Sequence, residues 1–141
     1  MKKAFTLLEL MIVIIILGVL VSSGVMQYQA SFEKPRGAEA RQILGQLRSA
    51  CATIFMDTGS IANCTPENLH IGTDTDMIPS SCRSTHYFSY TIIVALPNNV
   101  VFVANRCTSG GKSPDVSTAR NLRLQVNYTT GEDTWTTNGG Y

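Results

Sequence analysis

The sequence predicts an α+β fold: a long N-terminal α-helix, hydrophobic in its first half and amphipathic in its second, packed on a small antiparallel β-sheet. Three observations predict it. Residues 10–32 form a run of 23 without a formal charge. Ile43, Leu44, Leu47, Ala50, Cys51, Ile54 and Phe55 then recur at helical spacing. Beyond His86 the period shortens to that of strands, with alternating or β-branched apolar segments separated by turn residues.

The first half of the helix is the most informative stretch. Lys2 and Lys3 precede an apolar run over 5–21. Helical rise gives residues 5–26 a length of roughly 33 Å, close to the hydrocarbon thickness of a bilayer. Glu9 is the exception within it. A carboxylate at mid-bilayer costs about 2.5–3.5 kcal/mol on insertion scales and less near the interface, so Glu9 demands a partner or a function. Gly18 and Gly24 lower helix propensity. Pro35 removes an N–H and crowds the carbonyl of Ser31, which predicts a bend around 31–35.

In the second half the apolar stripe faces away from Glu39, Arg41, Gln42, Gln46, Arg48 and Ser49. Gly59 is a natural stop. The stripe needs a sheet against it, whereas the first half needs lipid or other helices all round. Residues 60–86 are a long connector with Pro66, Gly72 and Pro79; its length marks it as functional or cross-linked. Asp74-Thr75-Asp76 superficially suggests a calcium loop, but the Gly and Glu of such loops are missing, and a solvated loop is the better reading.

Strands are predicted over 87–96 and 100–106, joined at Pro97-Asn98-Asn99 as a hairpin. Leu122, Leu124, Val126 and Tyr128 alternate along a half-buried strand. Thr134-Trp135-Thr136 is a short final strand, and 138–141 is a loose end. Gly110-Gly111-Lys112-Ser113 lacks the first Gly of a phosphate loop and has Pro114 where a helix would start.

Composition narrows the chemistry. Eleven Lys and Arg face ten Asp and Glu, for a net charge of +1, and the basic residues are scattered. Nucleic acid is therefore not expected as a main partner, since phosphate recognition needs clustered positive charge. His70 and His86 are isolated and no nucleophile motif occurs, so no enzymatic activity, metal or cofactor is expected.

Cys51, Cys64, Cys82 and Cys107 all follow the apolar run, and their spacing lacks the close pairs of zinc sites. Two disulfides are the expected use, with three connectivities open. Cys51–Cys64 with Cys82–Cys107 is preferred, because the first ties the helix to the connector and the second clips the outer ends of the hairpin. A buried free thiol at Cys51 is the alternative.

A removable signal peptide cut before Gly24, or a plain single-pass anchor with cytoplasmic lysines, leaves Glu9 unexplained. Lys2-Lys3-Ala4-Phe5-Thr6-Leu7-Leu8-Glu9-Leu10, followed by β-branched apolar residues, resembles the leader and processing site of type IV pilins and the pseudopilins of type II secretion. The resemblance implies a leader over 1–4, cleaved between Ala4 and Phe5 by the prepilin peptidase, and N-methylation of Phe5. Ala4 stands where the family usually has Gly. Residues 5–30 would be the transmembrane and filament-core helix, 31–59 the amphipathic half, 60–86 the connector, and 87–141 the sheet and C-terminal region. Glu9 would occupy the family's characteristic carboxylate position. There it would pair with the new amine of Phe5 on a neighbouring subunit, a group with a reference pKa of about 7.7–8.0.

The implied function is a structural subunit of a type IV pilus, with partners in its own copies, the prepilin peptidase, the inner-membrane assembly machinery and membrane lipid. The implied location is the bacterial inner membrane, N-terminus cytoplasmic, before assembly, and a cell-surface pilus or periplasmic pseudopilus afterwards. Alternatives are a pseudopilin of a type II secretion system and a minor pilin with an adhesive or DNA-binding role.

Overall fold

A computed structural model describes residues 5–73, 77–95, 97–115 and 119–141, leaving out the side chains at 26, 27, 29 and 30. The leader with Ala4, the Asp74-Thr75-Asp76 triplet and Leu96 at the end of the first expected strand lie outside the described residues. The elements are α1 (Leu7–Thr58), a 3-10 turn (Ile61–Asn63), β1 (Phe88–Ala95), β2 (Asn99–Arg106), β3 (Asn121–Asn127) and β4 (Asp133–Asn138). The fold is α+β. By contacts the chain divides into Met1–Pro35 and Arg36–Tyr141.

Helix α1 is assigned without interruption through Gly18, Gly24 and Pro35. A proline costs one N–H and crowds one carbonyl, but flanking turns with their bonds intact can carry the helical assignment across it. At its C-terminal end Gly59 takes a φ of 68° and its N–H reaches the carbonyl of Phe55 at 2.8 Å. Only a residue without a Cβ adopts that backbone cheaply.

Within Arg36–Tyr141 the four strands form an antiparallel sheet in the order β1-β2-β3-β4. The turn at Pro97 and Asn98 sets the first hairpin, pairing Ala95 with Asn99 and Phe88 with Arg106. Register places Tyr90, Ala104 and Leu122 in one row, Ile92, Phe102 and Leu124 in the next, and Val94, Val100 and Val126 in a third. The alternation of β3 is clean: Leu122, Leu124 and Val126 are buried while Arg123 and Gln125 are exposed. Tyr128 lies just past the strand, half-buried, and its hydroxyl donates to the carbonyl of Arg48 at 3.0 Å.

The helix meets this face through Ala40, Leu44, Leu47 and Cys51, and the connector adds Ile61, Cys64, Leu69 and Ile71. Ala50 is exposed, a correction to the expected stripe. Positions 37, 40, 44, 47 and 51 advance by three or four residues, and residue 50 falls off that line.

Two further expectations change. The final strand has six residues and pairs with β3 along its whole length, although all six remain exposed. The end of the chain is docked. Tyr141 stacks edge-to-face on Phe88 with ring centroids 5.5 Å apart, and its carbonyl accepts from Arg41 Nη2 at 3.1 Å. Gly139 and Gly140, with φ of 105° and 82°, turn the chain inward to reach that position.

Candidate functional site

The expected assembly segment lies in the Met1–Pro35 unit. Phe5 is 79% exposed, and helix α1 starts two residues later. Thr6 and Glu9 form a reciprocal cap. The Thr6 backbone N–H and hydroxyl both donate to Glu9 Oε2 at 2.9 Å, and the Glu9 N–H reaches Thr6 Oγ1 at 3.3 Å. Two otherwise unpaired donors at the helix start are satisfied, and the carboxylate sits where the helix dipole favours negative charge. The partner expected for Glu9 was the Phe5 amine of a neighbouring subunit; within the chain its partner is Thr6. The signal for its partner was present in the spacing Thr6-Leu7-Leu8-Glu9, a Thr three residues ahead of a Glu.

Residues Leu7–Val25 form a helix long and apolar enough to cross a membrane, and none of it is buried. Leu7, Leu8, Ile14, Ile15, Val19 and Val21 are each more than half exposed. Ser22 and Ser23, the hydroxyl-bearing residues of this stretch, turn their hydroxyls onto the helix itself. Ser22 donates to the Val19 carbonyl at 2.8 Å and Ser23 to the Leu20 carbonyl at 3.0 Å. A hydroxyl satisfied within its own helix costs less in an apolar medium. Tyr28 and Phe32, one turn apart, make an edge-to-face pair at 4.6 Å.

In the Arg36–Tyr141 unit the cysteines are paired. Cys51 bonds to Cys64 with their Cα atoms 5.4 Å apart, and Cys82 to Cys107 at 5.6 Å. Cys51 and Cys64 are core residues. The Gly110-Gly111 turn packs over the other bridge, since a Cβ on Gly111 would fall 2.3 Å from Cys107 Cβ. Arg106 is buried and fixes this loop. Its guanidinium donates to the carbonyls of Tyr87 at 3.0 Å and Ser113 at 2.6 Å.

Basic residues that look scattered in the chain are gathered in space. Arg36, Arg106 and Lys112 surround the Tyr87 ring at 5.3, 5.5 and 4.9 Å from its centroid, a set of cation–π contacts that the sequence analysis did not anticipate. His86 is half-buried, with Nδ1 2.9 Å from the Thr85 hydroxyl, and His70 is exposed. The Lys112 loop leads into residues without regular structure at Pro114 and Asp115 rather than a helix. Among the described residues no three His, Cys, Asp or Glu side chains converge as metal ligands. A cavity of about 400 Å³ opens between the end of α1 and β3, lined by Arg48, Ala52, Phe55, Val126 and Tyr128 among others.

Comparison with known proteins adds two findings. Residues 1–25 match the family described as the prokaryotic N-terminal methylation motif. The chain is 32% identical over 96 residues to a type IV major fimbrial protein FimA of Dichelobacter nodosus, covering 65% of this chain and 62% of that protein. Two other FimA proteins of the same organism are 34% identical over 64 residues, covering 45% of this chain and 40% and 41% of theirs. The chain thus spans less than two thirds of the length of these relatives. No solved structure matches. The prepilin-type N-terminal motif and the similarity to type IV major fimbrial proteins together support assignment of the chain to the type IV pilin family.

Proposed function

We propose that the chain is a structural subunit of a type IV pilus, anchored in the inner membrane before assembly and polymerised through its N-terminal helix. The observation that carries this reading is the fully exposed apolar surface of Leu7–Val25 with a single carboxylate at its start. Such a surface is stable only in lipid or among other helices. One element then serves twice, as an anchor in the membrane pool and as the packed centre of a filament.

Cleavage between Ala4 and Phe5 removes the lysines and leaves the apolar helix attached, with Phe5 as the methylated first residue. It also creates an amine in apolar surroundings, which is costly unless an acid neutralises it. Glu9 of a neighbouring subunit is suited to that task. Both Thr6 donors fall on its Oε2, and the second oxygen, Oε1, is the one suited to an incoming amine. The pairing fixes the axial register of one helix against the next, the role for which buried charge pairs are best attested. Membrane orientation follows from Lys2 and Lys3, which stay on the cytoplasmic side.

The test is to shear filaments from the cell surface, identify their main component and measure the mass of its N-terminal peptide. The expected result is this chain beginning at a methylated Phe5. A mature chain beginning at Gly24, or filaments that lack the chain, would overturn the reading.

A further inference from the structure

The two disulfides have unlike surroundings. Both Cys51 and Cys64 are 0% exposed and belong to the hydrophobic core. The second bridge lies outside that core cluster, and only one of its two residues is fully buried. Cys107 is 0% exposed, whereas Cys82 is half-buried at the end of the connector. The connector itself lies along β1, which is an edge of the sheet. The Tyr90 N–H of β1 donates outward to the carbonyl of Pro79 at 2.8 Å, three residues before Cys82. Upstream, Ile71 and Ile78 form a parallel bridge, and Ile71 and Pro79 are buried.

We propose that Cys82–Cys107 is a solvent-reachable redox latch fastening the connector over the edge of β1, while Cys51–Cys64 is a core lock. Thiol–disulfide exchange requires a thiolate to approach one sulfur along the S–S axis, so access to that sulfur sets the rate. A thiolate of a small dithiol attacks Cys82 Sγ and forms a mixed disulfide. The electron pair of the broken S–S bond leaves with Cys107 Sγ, which takes up a proton. The second thiol of the reagent then attacks its own sulfur in the mixed disulfide and expels the Cys82 thiolate, which is protonated in turn. The reagent ends as a cyclic disulfide, and the protein has gained two electrons and two protons. At Cys51–Cys64 the same attack must wait for the core to open.

Opening the latch frees the last stretch of the connector and weakens its hold on Tyr90. An edge strand so uncovered presents backbone groups able to pair with another chain. The inference is independent of whether the chain builds a pilus.

The test uses the full-length chain in detergent micelles, titrated with dithiothreitol, pulse-alkylated and mapped by peptide mass spectrometry. Cys82 and Cys107 are expected to be alkylated together at a reductant concentration at least about tenfold below that needed for Cys51 and Cys64. In the singly reduced species, exchange of the Tyr90 amide is expected to rise at least about tenfold while that of Phe102 on β2 keeps its protection. A Cys82→Ser/Cys107→Ser variant should reproduce that exchange pattern; where it does not accumulate folded, the singly reduced wild type carries the same readout. Opening of Cys51–Cys64 first, or of all four cysteines in one step, would overturn the proposal. So would an unchanged Tyr90 amide in the singly reduced species.

Discussion

The two ends of helix α1 solve the same problem in opposite ways. Over Leu7–Val25 the apolar residues run all round and none is buried. From Ala40 to Cys51 they narrow to a stripe covered by the sheet and the connector. A helix that is hydrophobic on every side states a need for an apolar environment, whereas a striped one states a need for a single partner surface. Within Arg36–Tyr141 the sheet and the connector supply that surface to the second half. The difference teaches that the packing of the globular unit and the demand of the N-terminal half for an apolar environment are written in different residues of one helix.

The sharpest way to break this comparison is to delete side chains from each half. Phe102 is fully buried between Ile92 and Leu124 and in the same core as Leu44. Phe102→Ala should cost about 3–5 kcal/mol in denaturant unfolding of the detergent-solubilised chain. Ile14→Ala should leave that unfolding transition within about 0.5 kcal/mol of wild type, since Ile14 is 64% exposed. Equal effects at the two sites would contradict the division.

A smaller effect is expected where the docked tail meets the helix. A Cβ on Gly37 would fall 2.6 Å from Tyr141 Cδ1 and 3.1 Å from its Cβ. Gly37→Ala should therefore destabilise by about 1–2 kcal/mol by displacing the tyrosine. In a Tyr141→Ala background the same change should stabilise by roughly 0.5–1 kcal/mol, the ordinary helix preference for alanine over glycine. A double-mutant cycle by thermal unfolding reads the reversal of sign.

Alkaline pH probes the same globular unit. Burial pushes the Tyr128 hydroxyl up to about 12, with Arg48 acting in the opposite direction. A phenol raised above its ordinary value of 10.0 holds its proton more tightly folded than unfolded. Its contribution is thus complete below pH 10, falls as pH rises toward 12 and is spent above that. Tyr128→Phe should flatten that decline in a pH series of unfolding midpoints. The smallest effect belongs to Tyr90, whose buried hydroxyl has no hydrogen-bond partner among the described residues and whose ionisation is pushed upward by burial and then by Glu39. Tyr90→Phe should leave stability unchanged or raise it by up to about 1 kcal/mol, because removing an unsatisfied polar group removes its desolvation cost.

Much of this organisation was legible from local pattern. The spacing of Leu44, Leu47 and Cys51 marks the buried face of the helix, Pro97-Asn98 marks the hairpin, and the alternation from Leu122 to Val126 marks β3. Each is a short-range signal with a fixed period or a fixed turn chemistry. What was illegible depends on contacts distant in sequence. Nothing local to Tyr141 announces Gly37, 104 positions earlier. The connector buries Ile71 and Pro79 with no periodicity at all, because it follows the edge of a sheet rather than forming an element of its own. At the N-terminus the carboxylate was legible and its cap was not read, although Thr6 and Glu9 stand at the spacing that produces one.

The proposed pairing of Glu9 with a neighbour's Phe5 amine is open to direct measurement. The most direct measurement compares surface filaments from cells carrying wild-type and Glu9→Ala chains, alongside the amount of subunit in the membrane fraction. The account predicts that the substituted chain enters the membrane at the wild-type level while surface filaments fall at least about tenfold, an unpaired amine among apolar helices being too costly to tolerate. Normal filaments at normal abundance would contradict it.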